Sequence, residues 1–470
     1  MDTQLMTSRR RLLQQAACGF GGLALQAMLA GQAHAANKSA GMPHFRARAK
    51  RAIFLFMQGG PSQHDLFDYK PRLEKDHGQR LGASVKERGL TLGVDKYLTL
   101  GPAERFAQRG VSGIWMSDLL PNLATVADDL CMLRAVETDN NAHAIATLQL
   151  HTGTTTDVRP SLGAWVSYGL GTENQNLPSF VTITPDNDVR TYGSSFLPAS
   201  HQATAIATIP TNPSQSAIRH LFDPEITPDA QRRQLDFVQW LNRRTRSRVD
   251  ADPQMEGVIE SFELAFRMQM ETPKLVDLSG ETQETLQLYG IGQAATDRTG
   301  RACLLARRFS EAGVRFVQVT VGGWDHHDKL RDEIRKSCSG MDQPVAALIK
   351  DLKRRGLLDD TVVVWSGEFG RTPWSQDLSG MSPIEKHGRE HQPESYCAWL
   401  AGGGVKPGFT YGTTDEFGYR GVEGKVHLHD LHATLLHILG LDHEQLTYRH
   451  AGRDFRLTDV YGHVVREILA

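Results

Sequence analysis

Carboxylates and imidazoles gather behind glycines in three short stretches of the chain. Ser62, Gln63, His64, Asp65 and Asp68 follow Gly59-Gly60; Trp324-Asp325-His326-His327-Asp328 follows Gly322-Gly323; Glu368 and Arg371 follow Ser366-Gly367. Lys386, His387, Arg389 and His391 then precede another apolar run. Nitrogen and oxygen donors of these types, converging from separate segments, suit one divalent cation such as zinc or its neighbours. Arg371 and Arg389 carry planar donor forks that can grip an anion. Each residue also has a plainer reading: Asp65 or Asp68 as a turn or cap, Glu368 as a helix cap, His391 as an exposed loop histidine, the arginines as solvated charges. Asp325-His326-His327 is the most specific of the set, because its charge collects directly behind two glycines. His427-Leu428-His429-Asp430-Leu431-His432 has the composition of a metal site, but it leads straight into an amphipathic pattern and reads as a helix start.

The elements that must position these residues are legible as apolar runs. Ile53–Met57, Val314–Val321 and Thr361–Trp365 each end at the glycines named above, and Tyr396–Leu400 breaks at Ala401-Gly402-Gly403-Gly404. Runs rich in Val and Ile and apolar on both faces are the pattern of buried parallel strands. Between them lie amphipathic helices: Val345, Leu348, Ile349 and Leu352 at helical spacing before Gly356, Leu304, Leu305 and Phe309 before the strand at Val314, and Leu431, Leu435, Ile438 and Leu439 before Gly440. Such alternation predicts an α/β fold, a largely parallel sheet with helices on both faces. Ligands in such sheets sit beyond the carboxyl ends of the strands, where the polar clusters are. Residues from about 200 to 300 read differently, as charge-laced helices over Gln231–Arg248 and Val258–Met270, and predict a helical insertion capping the sheet. Residues 36–48 read as a loose N-terminal stretch of the mature chain.

The 470 residues carry a formal charge of -2 with 23% charged and 40% hydrophobic residues, which excludes an electrostatic nucleic-acid binder and favours a packed globular protein. Outside the N-terminus no run approaches the ~20 apolar residues of a membrane span. Residues 1–35 read as a twin-arginine signal peptide: Ser8-Arg9-Arg10 followed by Leu12-Leu13, a soft apolar stretch from Ala16 to Ala30, and Ala33-His34-Ala35 as the cleavage site. The expected partner is the twin-arginine export machinery, and the expected location is periplasmic or extracellular. The mature chain, 36–470, is then a single domain with its helical insertion. Its cysteines, Cys131, Cys303, Cys338 and Cys397, form no C-x-x-C pair and are too sparse for a disulfide framework.

At these residues the sequence resembles the bacterial family called domain of unknown function 1501, related to sulfatases and alkaline phosphatases. The likeness runs over nearly the whole mature chain. It is carried by residues 53–68, Asn140-Asn141-Ala142-His143 through His151-Thr152-Gly153, Gly323–His327, Ser366-Gly367-Glu368-Phe369-Gly370-Arg371-Thr372-Pro373, Gly388–His391 and the helix from Asp430 to Gly440. The alkaline phosphatase-like superfamily hydrolyses or transfers phosphate and sulfate esters with Asp and His metal ligands and a Ser, Thr or modified Cys nucleophile. The resemblance places Asp325 and His327 in one metal site, His391 as the late histidine ligand, and Glu368 where an Asp of an Asp-His pair belongs. Phe369 stands in place of that pair's His, and Gln58 where many relatives have an Asp, with Asp65 as its substitute. His143 falls at the place of the nucleophile, where it can attack, ligate or act as acid or base. Alternatively Thr147 takes the role, or water activated by the metal attacks directly.

Two functions follow. The first is an exported metal-dependent hydrolase of small-molecule or glycan phosphate or sulfate esters. Asp325, His327, Glu368, His391 and Asp65 hold zinc, manganese or calcium, His143 is base or nucleophile, and Arg371 clamps the anion. The second is a secreted binding protein that keeps the fold with a degenerate metal site, which Phe369, Gln58 and His143 favour.

Overall fold

The computed structural model describes residues 41–80, 97–206, 226–246, 253–377 and 382–470. The expected signal peptide at 1–35 lies outside the described residues. Three of the apolar runs become adjacent strands: β1 (Arg51–Met57), β5 (Phe316–Val321) and β6 (Thr361–Ser366), with β1 central and parallel to both. Among the described residues the sheet has nine strands. It adds β2 (Leu130–Glu137), β3 (Phe180–Ile183), β4 (Thr204–Ile206), β9 (Tyr396–Gly402), β10 (Phe409–Tyr411) and β11 (Val426–His427). Its order is β10-β2-β9-β6-β1-β5-β3-β4, with β11 also paired to β2.

One strand departs from the parallel expectation. β9 runs antiparallel to both of its neighbours, β2 and β6. Its glycine break at 402–404 therefore lies at the opposite edge from the breaks after β1, β5 and β6. Its first residue, Tyr396, lies at the same edge as those breaks. Just before it, β7 (Gly370–Ser375) and β8 (Arg389–Gln392) form an antiparallel hairpin outside the main sheet.

Alternation along the strands divides the core in two, because successive side chains face opposite sides of a sheet. Ile53, Leu55, Met57, Val317, Val319, Val363 and Trp365 share one cluster with α5 (Asp297–Glu311) and α6 (Leu330–Arg354). Phe54, Phe56, Phe316, Val362 and Val364 share the other with α2 (Leu162–Leu170) and α7 (Leu428–Ile438). Helices on both faces of a mostly parallel sheet make the fold α/β. α1 (His143–Thr152) lies over the second face, its His151 ring edge-on to Phe54 and Phe56.

Several local expectations meet their structural reasons. The Val345–Leu352 stripe is the buried side of α6, which ends before Gly356 at φ +69°. His427 is the N-cap of α7 and shares a capping box with Asp430, so the histidine-rich segment is a helix start. The 200–300 region holds α3 (Pro228–Arg246) and α4 (Pro253–Val276), but it opens on β4, an edge strand of the sheet. Residues 44–49 are not loose: His44 and Phe45 donate to the Gly440 carbonyl, and Arg48 and Ala49 to that of Ile438. Cys131, Cys303, Cys338 and Cys397 are all buried and free. Among the described residues no helix is long and apolar enough to cross a membrane.

Candidate metal centre

The parallel strands deliver their following loops to one edge of the sheet. β2 leads into the Asp139-Asn140-Asn141 turn and then α1, whose first residue is His143. β5 leads through Gly322 and Gly323 to Asp325, His326 and His327. Trp324 is buried and His326 turns inward to Ser337 Oγ at 3.2 Å, so of the two adjacent histidines only His327 faces the edge cluster. Because β9 runs backward, the β7–β8 hairpin that precedes it arrives at this same edge and brings His391.

The four side chains meet. Asp325 Oδ1 lies 3.1 Å from His143 Nε2, 2.8 Å from His327 Nε2 and 3.3 Å from His391 Nε2. The Nε2 atoms of His327 and His391 are 2.9 Å apart. Among the described residues this is the one group of three or more such side chains whose ligand atoms all fall within 4.8 Å of one another. Bonds of ~2.0–2.1 Å in a tetrahedral site put donors about 3.3 Å apart, and these four distances come near that value.

The proton positions sharpen this. His143 Nδ1 faces the Glu368 carboxylate at 2.6 Å, His391 Nδ1 faces the Asn141 carbonyl at 2.7 Å, and His327 Nδ1 bonds Gln376 Oε1. Each partner is an acceptor, so each Nδ1 carries a proton, and a ring presents a lone pair at Nε2 whenever it is neutral. Three lone pairs and a carboxylate oxygen facing a common point repel one another unless a cation lies among them. His143 Nε2 is buried and, apart from Asp325 Oδ1 at 3.1 Å, meets no protein acceptor or donor among the described residues. The donor set thus fits a divalent metal, with every imidazole held from behind by an outer acceptor, as metal-ligating histidines usually are.

Glu368 and Arg371 stand beneath the cluster. Glu368 is fully buried; its oxygens accept the backbone N–H groups of Gly59 at 3.0 and 3.1 Å and Gly60 at 3.1 Å, besides the proton of His143. Gly59, at φ +117°, admits no side chain: a Cβ there would come within 2.7 Å of the Asp325 nitrogen. Arg371 is also sealed off. Its Nη2 meets Asp325 Oδ1 at 2.6 Å and the Gly59 carbonyl, its Nε the Gly60 carbonyl at 2.8 Å, and its Nη1 the Arg389 carbonyl at 3.2 Å. Partial burial works to raise the Asp325 carboxyl, but the hydrogen bond and charge of Arg371, with His143 and His327, hold it well below the usual carboxylate range. Burial disfavours the His143 cation, yet Glu368 and Asp325 outweigh it and raise this imidazole above its ordinary value. Burial, with the charges of Arg371 and His143, lowers His391.

Of the residues singled out in the sequence, the structure brings Asp325, His327, His391 and His143 together. Glu368 does not join the facing donors; it sits behind His143 because the Gly59 and Gly60 amides draw its carboxylate inward. Arg371 is not an anion clamp open to solvent, since backbone carbonyls and Asp325 take its donors. Asp65 does not reach the cluster. It is fully buried against Arg389, with Oδ2 2.8 Å from Nε, and its Oδ1 accepts the Ala103 N–H at 2.7 Å. Thr147 is buried one turn further along α1. Gln376 and the Asn141 carbonyl went unread in the sequence, because an amide in a loop and a main-chain oxygen carry no signal of their own.

A family model described as a protein of unknown function (DUF1501) matches residues 49–469. The chain belongs to that family. No curated protein matches its sequence. Among solved structures, this DUF1501 chain is similar to the lipoteichoic acid synthase LtaP from Listeria monocytogenes at 10% identity and TM-score 0.37, covering 93% of this chain and 80% of that one. It is also similar to the C-terminal periplasmic domain of EcEptC from Escherichia coli, in complex with Zn, at 12% identity and TM-score 0.34, covering 85% and 86%. Alkaline phosphatase from the Antarctic bacterium TAB5 matches at 11% identity and TM-score 0.33, covering 84% and 99%.

Two substitutions test this arrangement. Glu368→Gln removes the charge that holds the His143 proton in place, and should weaken zinc binding by about 10–100-fold in a chelator competition while circular dichroism stays native. Arg389→Met leaves the Asp65 carboxylate buried without its cation and should cost about 3–5 kcal/mol in urea denaturation. A loss within error of zero would show that the pair is not structural.

Proposed function

We propose that the chain is a metal-dependent hydrolase of phosphate or sulfate esters, acting outside the cytoplasm on a small-molecule or glycan ester. The observation that carries this reading is a nitrogen-rich donor set whose side chains remain partly exposed. The side chains of His143, His327 and Asp325 are 33%, 32% and 45% exposed, whereas a purely structural ion is usually sealed. In this reading His143, His327, His391 and Asp325 hold the ion. Three imidazoles favour zinc or a similar borderline metal over calcium, which takes six to eight oxygens. Such an ion, when bound, polarises an ester oxygen and makes water acidic near neutral pH. Glu368 keeps the His143 proton on Nδ1, and Arg371 fixes Asp325 by charge and hydrogen bond. With Nδ1 given to Glu368 and Nε2 turned to the metal, His143 has no nitrogen left to attack an ester. Thr147 is buried, so solvent water approaching from the exposed side of the cluster supplies the nucleophile.

One observation favours the second reading, a binding protein with no turnover. Four protein donors can complete a tetrahedron by themselves and leave no place for substrate. Metal analysis of the purified protein followed by assays with chromogenic phosphate and sulfate esters separates the two. Bound metal with ester turnover that disappears on chelation supports the hydrolase. Bound metal without turnover of any ester supports the binding protein, and a chain that takes up no zinc, manganese or calcium overturns both.

His391→Ala should lower metal occupancy while the fold persists, as read by elemental analysis beside circular dichroism. Metal affinity should also rise with pH. The metal-free His143 keeps its proton to above the ordinary value of ~6.5, and that proton must leave before Nε2 can ligate. His391, lowered, is already neutral there. Titration calorimetry across this range should show proton release on binding that fades once His143 is neutral.

A further inference from the structure

Four buried polar side chains, His151 on α1 and three on the sheet face that α1 and α2 cover, have groups with no hydrogen-bond partner among the described residues: His151 Nε2, Thr182 Oγ1, Gln318 Nε2 and Thr320 Oγ1. Their exposures are 2%, 0%, 2% and 8%. They belong to one small region. Thr182 on β3 pairs with Gln318 on β5, and Gln318 pairs with Phe54 on β1. Two residues along, Thr320 pairs with Phe56. Paired residues in neighbouring strands, and residues two apart in one strand, project from the same face at spacings of about 5–7 Å. The fourth group closes the region from above. The His151 ring on α1 stands edge-on to Phe54 and Phe56, with centroids 5.7 and 4.6 Å away, over the same two rungs.

The chemistry of the four groups is complementary and uncharged. His151 Nδ1 donates to the Thr147 carbonyl at 2.8 Å, so its Nε2 can only accept. Burial pushes this imidazole down to about 4, so it is neutral at physiological pH. Gln318 Nε2 can only donate, and the two threonine hydroxyls do both. One obligate acceptor, one obligate donor and two hydroxyls match what a water molecule offers. A cation would face the amide protons of Gln318, and an anion the lone pair of His151.

We propose that His151, Thr182, Gln318 and Thr320 form an internal water-binding site on the sheet face that α1 and α2 cover. Four unmet groups, at about three hydrogen bonds per buried water, call for about one or two waters. Through them α1, which carries His143 at its first turn, is bridged to β3 and β5. The site stands apart from the metal cluster and does not depend on how that cluster is used.

A crystal structure of the full chain at about 1.5 Å should show ordered water within hydrogen-bond distance of both His151 Nε2 and Gln318 Nε2. Direct contacts among the four side chains, or density that is empty there, would overturn the proposal. Nitrogen NMR of labelled protein gives an independent reading, since the unprotonated His151 Nε2 should show the shift of a hydrogen-bonded lone pair and not a free one. The Gln318→Met variant should move that signal toward the free value and lower Tm by about 2–4 °C. If the variant fails to fold, the wild-type signal still decides: a free lone pair there sinks the site.

Discussion

One buried guanidinium organises the functional edge of the molecule. Arg371 binds the carbonyls of Gly59 and Gly60 after β1, that of Arg389 on β8, and the carboxylate of Asp325 after β5. A charge sealed from water must find all its hydrogen bonds inside the protein, or its burial costs several kcal/mol. Meeting that demand forces three loops into one arrangement. Asp325 and Glu368 then balance the cation beneath the three clustered imidazoles. The arginine's contribution is geometric and electrostatic together, and its side chain never meets solvent.

The helix that carries His143 is fixed at both ends by the same kind of bond. At its start the His143 ring leans on Glu368. At its finish two histidines of α7 donate to backbone carbonyls, His432 to Leu150 at 2.7 Å and His429 to Gly153 at 2.9 Å. Burial pushes His432 down to about 3 and lowers His429, so both are neutral donors. The histidine-rich helix start read from the sequence is therefore a clamp on α1. It holds the helix whose first residue joins the cluster.

Much of this was legible in the chain itself. The apolar runs at 53–57, 314–321 and 361–365, each broken by glycine, announced parallel strands and the edge where chemistry gathers, and Asp325-His326-His327 stood out there. What could not be read was set by partners far away in sequence. Glu368 looks like a ligand until the Gly59 and Gly60 amides pull it inward, and main-chain N–H groups have no side-chain signature. Asp65 pairs with Arg389 across most of the chain, and no local pattern links the two. The direction of β9 was equally hidden, because an apolar run such as Tyr396–Leu400 fits a buried strand of either sense.

That reversal has a consequence for how the molecule is made. β9 inserts between β2 and β6, strands separated from each other by nearly half the chain's sequence, and pairings of such long range close late because loop entropy must be met first. His391 reaches the edge only through that insertion. A partly folded chain can present His143 or the Asp325 loop, but it cannot gather all four donors. An ion held by all four donors would therefore mark completed topology, and would stabilise only the chain that has already threaded its last central strand.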